Sequence, residues 1–201
     1  MTMISNRNKI ATVATFAALC ATILSLPDNA YAHVVLDQRT APAGSYFRGA
    51  FRVGHGCDGS ATIAITVTLP EGVRGAKPMP KPGWTIEKRL EKLAKPYDSH
   101  GKTVTYEVAA ITWRGGPLPD DFFDEFALQM QLPETPGPIW FKVLQQCEKG
   151  ANNWSMVPAT GTSTRGLKAP ASLLELTSPT ASGNPPVGSA AAKPIVDEHK
   201  H

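Results

Sequence analysis

Thr62-Ile63-Ala64-Ile65-Thr66-Val67-Thr68-Leu69 sets polar or small residues against large apolar ones at every second position. Side chains on an extended strand point alternately to its two faces, so Ile63, Ile65, Val67 and Leu69 are expected together on one buried face. Six of the eight residues are β-branched, which suits a pleated surface and disfavours a helix. The same alternation recurs on both sides. Phe47, Phe51 and Val53 alternate with Arg48 and Arg52, and Val104, Tyr106 and Val108 alternate with Thr103, Thr105 and Glu107. Further strands are expected over 33–39, 84–93, 122–132, 139–146, 153–158 and 171–177. Glycine and proline punctuate the intervals, as in Pro70-Glu71-Gly72, Ser99-His100-Gly101-Lys102 and Pro136-Gly137-Pro138. Short strands separated by turns at this spacing predict an all-β fold, an antiparallel sandwich of immunoglobulin-like form.

One stretch is ambiguous. Ile86, Leu90 and Leu93 lie at helical spacing among good helix formers. The strand reading is preferred because a hairpin through Ser99-Lys102 would pair this stretch with 102–112. Beyond Thr177 the chain turns to Ser, Ala, Pro and Gly, a composition that buries too little apolar surface to order itself. The expected organisation is a leader over 1–32, a sandwich domain over 33–177 and a flexible tail over 178–201.

The leader reading rests on three features. Arg7 and Lys9 precede an apolar run from Ile10 to Leu26, and Ala30-Tyr31-Ala32 is a small-x-small cleavage sequence. The competing reading is an uncleaved membrane anchor. Cleavage after Ala32 would leave 169 of the 201 residues, an ordinary single domain, and remove Cys20 with the leader. The whole chain carries a formal charge of +3, and no Lys/Arg cluster is dense enough to form a footprint for phosphates, so no nucleic-acid partner is expected. No apolar segment of membrane-spanning length remains in the mature chain. Periplasmic or secreted location follows from export.

Export also decides the cysteines. Cys57 and Cys147 remain, and an oxidising compartment favours their pairing. Closing a loop of this length would stabilise the fold by about 4–5 kcal/mol in the chain-entropy account. A copper-thiolate site built on Cys57 and His55 competes with that pairing.

Cleavage would make His33 the first residue. A terminal histidine offers an α-amine and an imidazole to one ion, and Cu(II) favours such nitrogen donors in a tetragonal plane. His55 follows the strand ending at Val53, within Gly54-His55-Gly56-Cys57-Asp58-Gly59, where small residues let the backbone turn. If the first strand runs antiparallel to 46–53, His33 and His55 meet at one pole of the sandwich. The alternative for His55 is a hydrogen bond within its own loop. His100 is expected in a solvated turn, and His199 and His201 lie in the tail. Of Trp84, Trp113, Trp140 and Trp154, at least two are expected in the core, while Trp84 ends a stiff proline-rich loop. Asp120, Asp121, Asp124 and Glu125 read as a solvated bend between strands. Met79, Met130 and Met156 are too scattered for a methionine-rich Cu(I) site. Hydrolase elbows, zinc-protease helices, phosphate loops and dinucleotide fingerprints are absent from the sequence.

His33-Val34-Val35-Leu36, Ala41-Pro42-Ala43-Gly44-Ser45, the segment 46–59, Pro70-Glu71-Gly72-Val73, Pro80-Lys81-Pro82-Gly83-Trp84, Leu118-Pro119-Asp120 with Phe122 and Phe126, and Gln145-Gln146-Cys147 with Trp154 stand in an order and spacing that resembles the YcnI-like copper-binding proteins, a bacterial domain of unknown function. The resemblance covers residues 33–177. It implies an immunoglobulin-like sandwich that binds Cu(II) outside the cytoplasm through the mature amino-terminal histidine, with an acidic residue and a tryptophan completing the site. His33 and Trp154 carry over. Where the acidic ligand is expected this chain has Gly54-His55-Gly56-Cys57, so His55 is expected to replace it, with Asp58 as the fallback. Some relatives carry a carboxy-terminal membrane helix, and its absence from this sequence favours a mature form that does not span a membrane.

These readings converge on a Cu(II)-binding chaperone or buffer in copper homeostasis, not an enzyme, with other periplasmic copper-handling proteins as partners. Two alternatives stay open: a copper-dependent oxidative enzyme of the polysaccharide monooxygenase type, and a metal-free interaction sandwich.

Overall fold

The alternation around Thr62 becomes a central strand between two neighbours. A computed structural model of the protein describes residues 33–179, so the expected leader, Cys20, most of the expected tail, His199 and His201 lie outside the described residues. Eleven strands follow one another: β1 (Val35–Leu36), β2 (Thr40–Pro42), β3 (Tyr46–Val53), β4 (Thr62–Thr68), β5 (Arg74–Pro78), β6 (Trp84–Ser99), β7 (Lys102–Leu118), β8 (Asp124–Gln131), β9 (Gly137–Cys147), β10 (Ala151–Trp154) and β11 (Ser172–Thr177). No helix occurs among the described residues. One sheet runs β1-β3-β8-β5, and the other runs β2-β11-β9-β4-β7-β6 with β10 added to β9. Nearly all pairings are antiparallel, and the β2–β11 pair is parallel.

The inner faces carry the core. Phe47, Phe51 and Val53 of β3 and Phe126, Leu128 and Met130 of β8 meet Ile65 and Val67 of β4, Ile111 and Trp113 of β7, and Phe141 and Val143 of β9. Phe51 packs edge-to-face on Phe141, and Trp113 on Phe126. The indole N–H of buried Trp113 donates to the Met79 carbonyl at 3.2 Å, so its one polar atom is satisfied. Trp113 and Trp154 are the two buried tryptophans, in line with the expectation for this residue type.

The structure departs from the sequence reading in three places. Ile63 leaves the inner face, because a register shift between Thr62 and Ala64 interrupts the pairing of β4 with both β7 and β9. Thr62 is fully buried and Ile63 only half so. The segment expected as one strand over 33–39 holds only the two-residue β1, and β2 begins after it, at Thr40, in the other sheet. Asp37 fixes the break: its carboxylate accepts the Ala50 N–H, and its own N–H donates to the Ala50 carbonyl, both at 3.0 Å. Last, β5 has no counterpart in the sequence reading. Arg74-Gly75-Ala76-Lys77-Pro78 is an edge strand with a register shift at Gly75, and its proline and glycine hide it from any alternation test.

The ambiguous stretch around Ile86 is strand, and β6 and β7 form one long hairpin turning at His100 and Gly101, with register shifts between Arg89 and Leu90 and between Lys92 and Tyr97.

Candidate functional site

Val35 pairs with Arg52 and Leu36 with Phe51. Continued two residues toward the start of the chain, that register sets His33 opposite Gly54, the neighbour of His55. The antiparallel pairing of β1 with β3 is observed at Val35 and Leu36, and His33 itself lines a hollow with Arg39, Thr162, Thr164 and Ser172. The Val34 carbonyl accepts from the Ser172 hydroxyl at 2.8 Å, which ties the segment after His33 to the start of β11.

Trp154 closes β10 and is 4% exposed. Its ring meets the His33 imidazole edge-to-face, centroids 5.5 Å apart and planes at 79°. Its N–H donates at 3.1 Å to Oε1 of Gln145, a side chain only 1% exposed. The other end of that amide is also committed: Nε2 donates to the His55 carbonyl at 2.7 Å and to the Thr62 hydroxyl at 2.8 Å. One buried amide thus fixes the indole under His33 and the backbone at His55. A buried polar group with every bond made is rigid, and leaving any of these partners unmade would cost about 1–3 kcal/mol.

The His55 loop is fixed from its other side too. The Gly56 N–H donates to Asp120 Oδ1 at 2.8 Å. A Cβ at Gly56 would overlap the Ser60 carbonyl oxygen, so only glycine allows this approach. Cys57 and Ser60 exchange both backbone hydrogen bonds, at 3.0 and 2.9 Å. Asp58 and Gly59 between them hold φ of 49° and 81°, the positive pair a tight two-residue hairpin turn requires. The disulfide Cys57–Cys147 then joins the loop to the end of β9, with a sequence separation of 90. The Thr62 hydroxyl lies 3.8 Å from Cys147 Sγ, so disulfide, Thr62, Gln145, Trp154 and His33 form one continuous set of contacts.

Half-buried His55 brings its ring Nδ1 to 2.5 Å from the Gly56 carbonyl. A carbonyl can only accept, so Nδ1 carries the proton, and in the neutral ring Nε2 keeps its lone pair. Of the two alternatives for this residue, the structure shows the hydrogen bond within its own loop, and that bond leaves Nε2 as the ring's acceptor atom.

Other residues fall elsewhere. Asp58 is exposed at the turn apex and lines a shallow hollow with Ser60, Asp120, Asp121 and Glu148. Trp84 packs edge-to-face on Phe126 at 4.9 Å, capping the core. His100 sits exposed in the hairpin turn with φ 48°. The acidic bend is more than solvated surface: Asp120 holds Gly56, and Asp124 pairs with Lys81 Nζ at 2.6 Å. Gln145, Thr62 and Asp120 escaped the sequence reading. Gln145 had a signal, since it occupies an inward position in the series Phe141, Val143, Gln145, Cys147, where a polar residue needs buried partners.

Among the described residues no group of three or more His, Cys, Asp or Glu side chains is placed to hold a metal. An ion at this pole would rest on the imidazoles of His33 and His55 and on backbone nitrogen. That donor set suits a metal preferring nitrogen, and a free amine at His33 would complete it.

Residues 33–176 match the family described as Domain of unknown function (DUF1775). No curated protein matches the chain. An uncharacterized protein from Nocardia farcinica, whose crystal structure reveals an immunoglobulin-like fold, is similar at 28% identity with a TM-score of 0.56, covering 73% of this chain and 99% of that one. Sandwich architecture and sequence agree over the whole described domain, and the chain belongs to the DUF1775 family, the YcnI-like family.

Proposed function

We propose that the protein is exported, cut after Ala32, and binds Cu(II) in the periplasm as a chaperone or buffer in copper homeostasis. The amine and imidazole of His33 and Nε2 of His55 are the donors, and the Trp154 indole walls the site. One observation carries this reading: His33 lies against an indole whose N–H is held by the same buried amide that holds the His55 backbone. Copper would supply no chemistry here beyond its own preference for nitrogen, and the chain's part is to hold two rings in fixed orientation and exclude water on the Trp154 side. One further feature supports it: a disulfide fits an oxidising compartment.

The test is the terminus. A chain beginning at His33 should retain one Cu(II) against a competing chelator, and a chain with one residue added before His33 should bind at least about tenfold more weakly, a loss of 1.4 kcal/mol or more. Equal affinities would defeat the brace. His55→Ala should change the nitrogen hyperfine pattern in electron paramagnetic resonance. We read the protein as a carrier and not a catalyst; reductant-dependent oxygen consumption on chitin or cellulose would reverse that.

A further inference from the structure

A cleft at the other end of β3 plays no part in the Cu(II) reading. Tyr46 begins that strand and Val53, which leads into the His55 loop, ends it, so about 23 Å of strand lies between them. On the outer face of the four-stranded sheet, Tyr46 of β3, Gln131 of β8 and Arg74 of β5 stand in one register row, and Gln129 of β8 pairs with Lys77 of β5 in the next. The rows depend on the irregularity in β5. Ala76 is buried, and strict alternation would send Arg74 inward with it; the register shift between Arg74 and Lys77, with Gly75 at φ 58°, leaves both cations exposed instead.

The tip of the β6–β7 hairpin forms the opposite wall. The Arg74 guanidinium lies 4.3 Å over the Tyr97 ring, and the Glu107 carboxylate accepts the Tyr97 hydroxyl and the Gly75 N–H, which fastens the hairpin to β5. Between the walls is a cleft of about 200 Å³, to which His100 and the 72% exposed Tyr46 also contribute. Among the described residues no acidic side chain lines it. Glu107 is occupied by its two donors, and Arg48, beside Gln129, is paired with Asp37 at 3.9 Å. Arg74 and Lys77 therefore set the charge of the cleft.

We propose that this cleft binds a short stretch of an acidic polysaccharide, one whose sugar rings carry carboxylates. The Tyr46 phenol offers a sugar ring an apolar face with a hydroxyl at its edge. Gln131 Nε2 donates to the Gly44 carbonyl at 3.4 Å, which leaves Oε1 to accept from a sugar hydroxyl, and the exposed Gln129 amide can both donate and accept. Arg74 and Lys77 take the carboxylates, the guanidinium already oriented by the Tyr97 ring. The cations select an anion, and the phenol and amides select a hydroxyl-bearing ring over an acidic peptide. Copper has no role in this binding.

Isothermal titration of the chain 33–201 with hexamers of galacturonate and of mannuronate tests the proposal, with maltohexaose and poly-glutamate as comparisons. At least one uronate should bind, and both comparison polymers should bind at least about tenfold more weakly. Lys77→Gln should weaken uronate binding several-fold and lessen its dependence on salt, because an exposed charge is removed. Tyr46→Ala should weaken it several-fold and leave the salt dependence unchanged. In the unaltered chain the amide resonances that shift on binding should be those of Tyr46, Gly75 and Gln131, a readout that needs no variant to fold. Failure of both uronates to bind, or shifts centred on another part of the chain, overturns the proposal. Poly-glutamate binding as tightly as a uronate overturns it as well, and would make the cleft a site for acidic peptides. One residue added before His33 should leave uronate affinity unchanged, so this proposal and the Cu(II) reading fail separately.

Discussion

The His33 pole and the outer half of the β6–β7 hairpin are both reached by strands, but differ in burial. At the pole, Thr62 of β4, Gln145 and Cys147 of β9, Trp154 of β10 and Cys57 of the adjoining loop are all buried and their polar groups are paired. The hairpin is regular strand on both sides, yet Leu90 is 57% and Tyr106 55% exposed. Its exposed ion pair between Arg89 and Glu91 contributes little in water. The difference lies in what covers each region. Segments 33–36, 54–60 and 145–154 close on one another, whereas β6 is the edge of its sheet and no residue between Leu90 and Glu107 belongs to the core. Strand pairing supplies backbone hydrogen bonds, but burial needs a second layer, and only the pole has one.

The sharpest way to break this contrast is Gln145→Leu. The substitution removes three hydrogen bonds and leaves the Trp154 N–H, the Thr62 hydroxyl and the His55 carbonyl without their partner. A loss of about 3 kcal/mol or more is expected in denaturant unfolding. A loss under about 0.5 kcal/mol, as at an ordinary surface position, would show that this amide does not hold the pole together. Asp120→Ala comes next. It frees one part-buried N–H, at Gly56, and about 1–2 kcal/mol is expected to go, with faster amide exchange concentrated at Gly56 and Cys57. Exchange that rises evenly over the chain would mean that the carboxylate supports the whole sandwich instead of this loop.

The same contrast explains what could be read from the sequence. Alternation reports which face is buried, so β3, β4, β8 and β9 were legible wherever both layers are present. It fails where geometry changes locally. The register shift after Thr62 turns Ile63 off the inner face and puts a threonine there, and no period-two pattern contains that event. It fails again at β5, whose pairing with β8 is made by backbone and whose glycine and proline resemble a loop. At the pole, His33 drew notice because it follows the small-x-small run Ala30-Tyr31-Ala32, and Cys57 with Cys147 because they are the two cysteines within the strand-patterned segment. Asp120 was not, since its role is to accept one N–H from a residue 64 positions away. Gln145 stood between: its inward place in an apolar series was visible, but its partners were set by loops.

The smallest expected effect lies on the hairpin and tests how its outer half is held at all. Tyr97 of β6 donates its hydroxyl to the Glu107 carboxylate of β7, which also accepts the Gly75 N–H, and the Arg74 guanidinium sits 4.3 Å over the Tyr97 ring. Burial first, and then Glu107, pushes the Tyr97 hydroxyl up to about 12, against an opposing pull from Arg74. A folded value above the ordinary one means that the folded state keeps its proton longer than the unfolded chain does. The stabilisation is therefore complete below about pH 10, declines as the unfolded chain loses its proton, and is gone above about pH 12. Tyr97→Phe should cost about 1 kcal/mol or less at neutral pH, the net worth of one hydrogen bond near the surface. It should also remove one late-titrating tyrosine from an absorbance titration and flatten the fall in stability between pH 10 and 12. Amide exchange of Gly75 and Val108 should quicken while that of Gly56 stays unchanged. Quickened exchange at Gly56 would join the two regions into one cooperative unit, and the contrast between a cross-braced pole and a singly pinned hairpin would have to be given up.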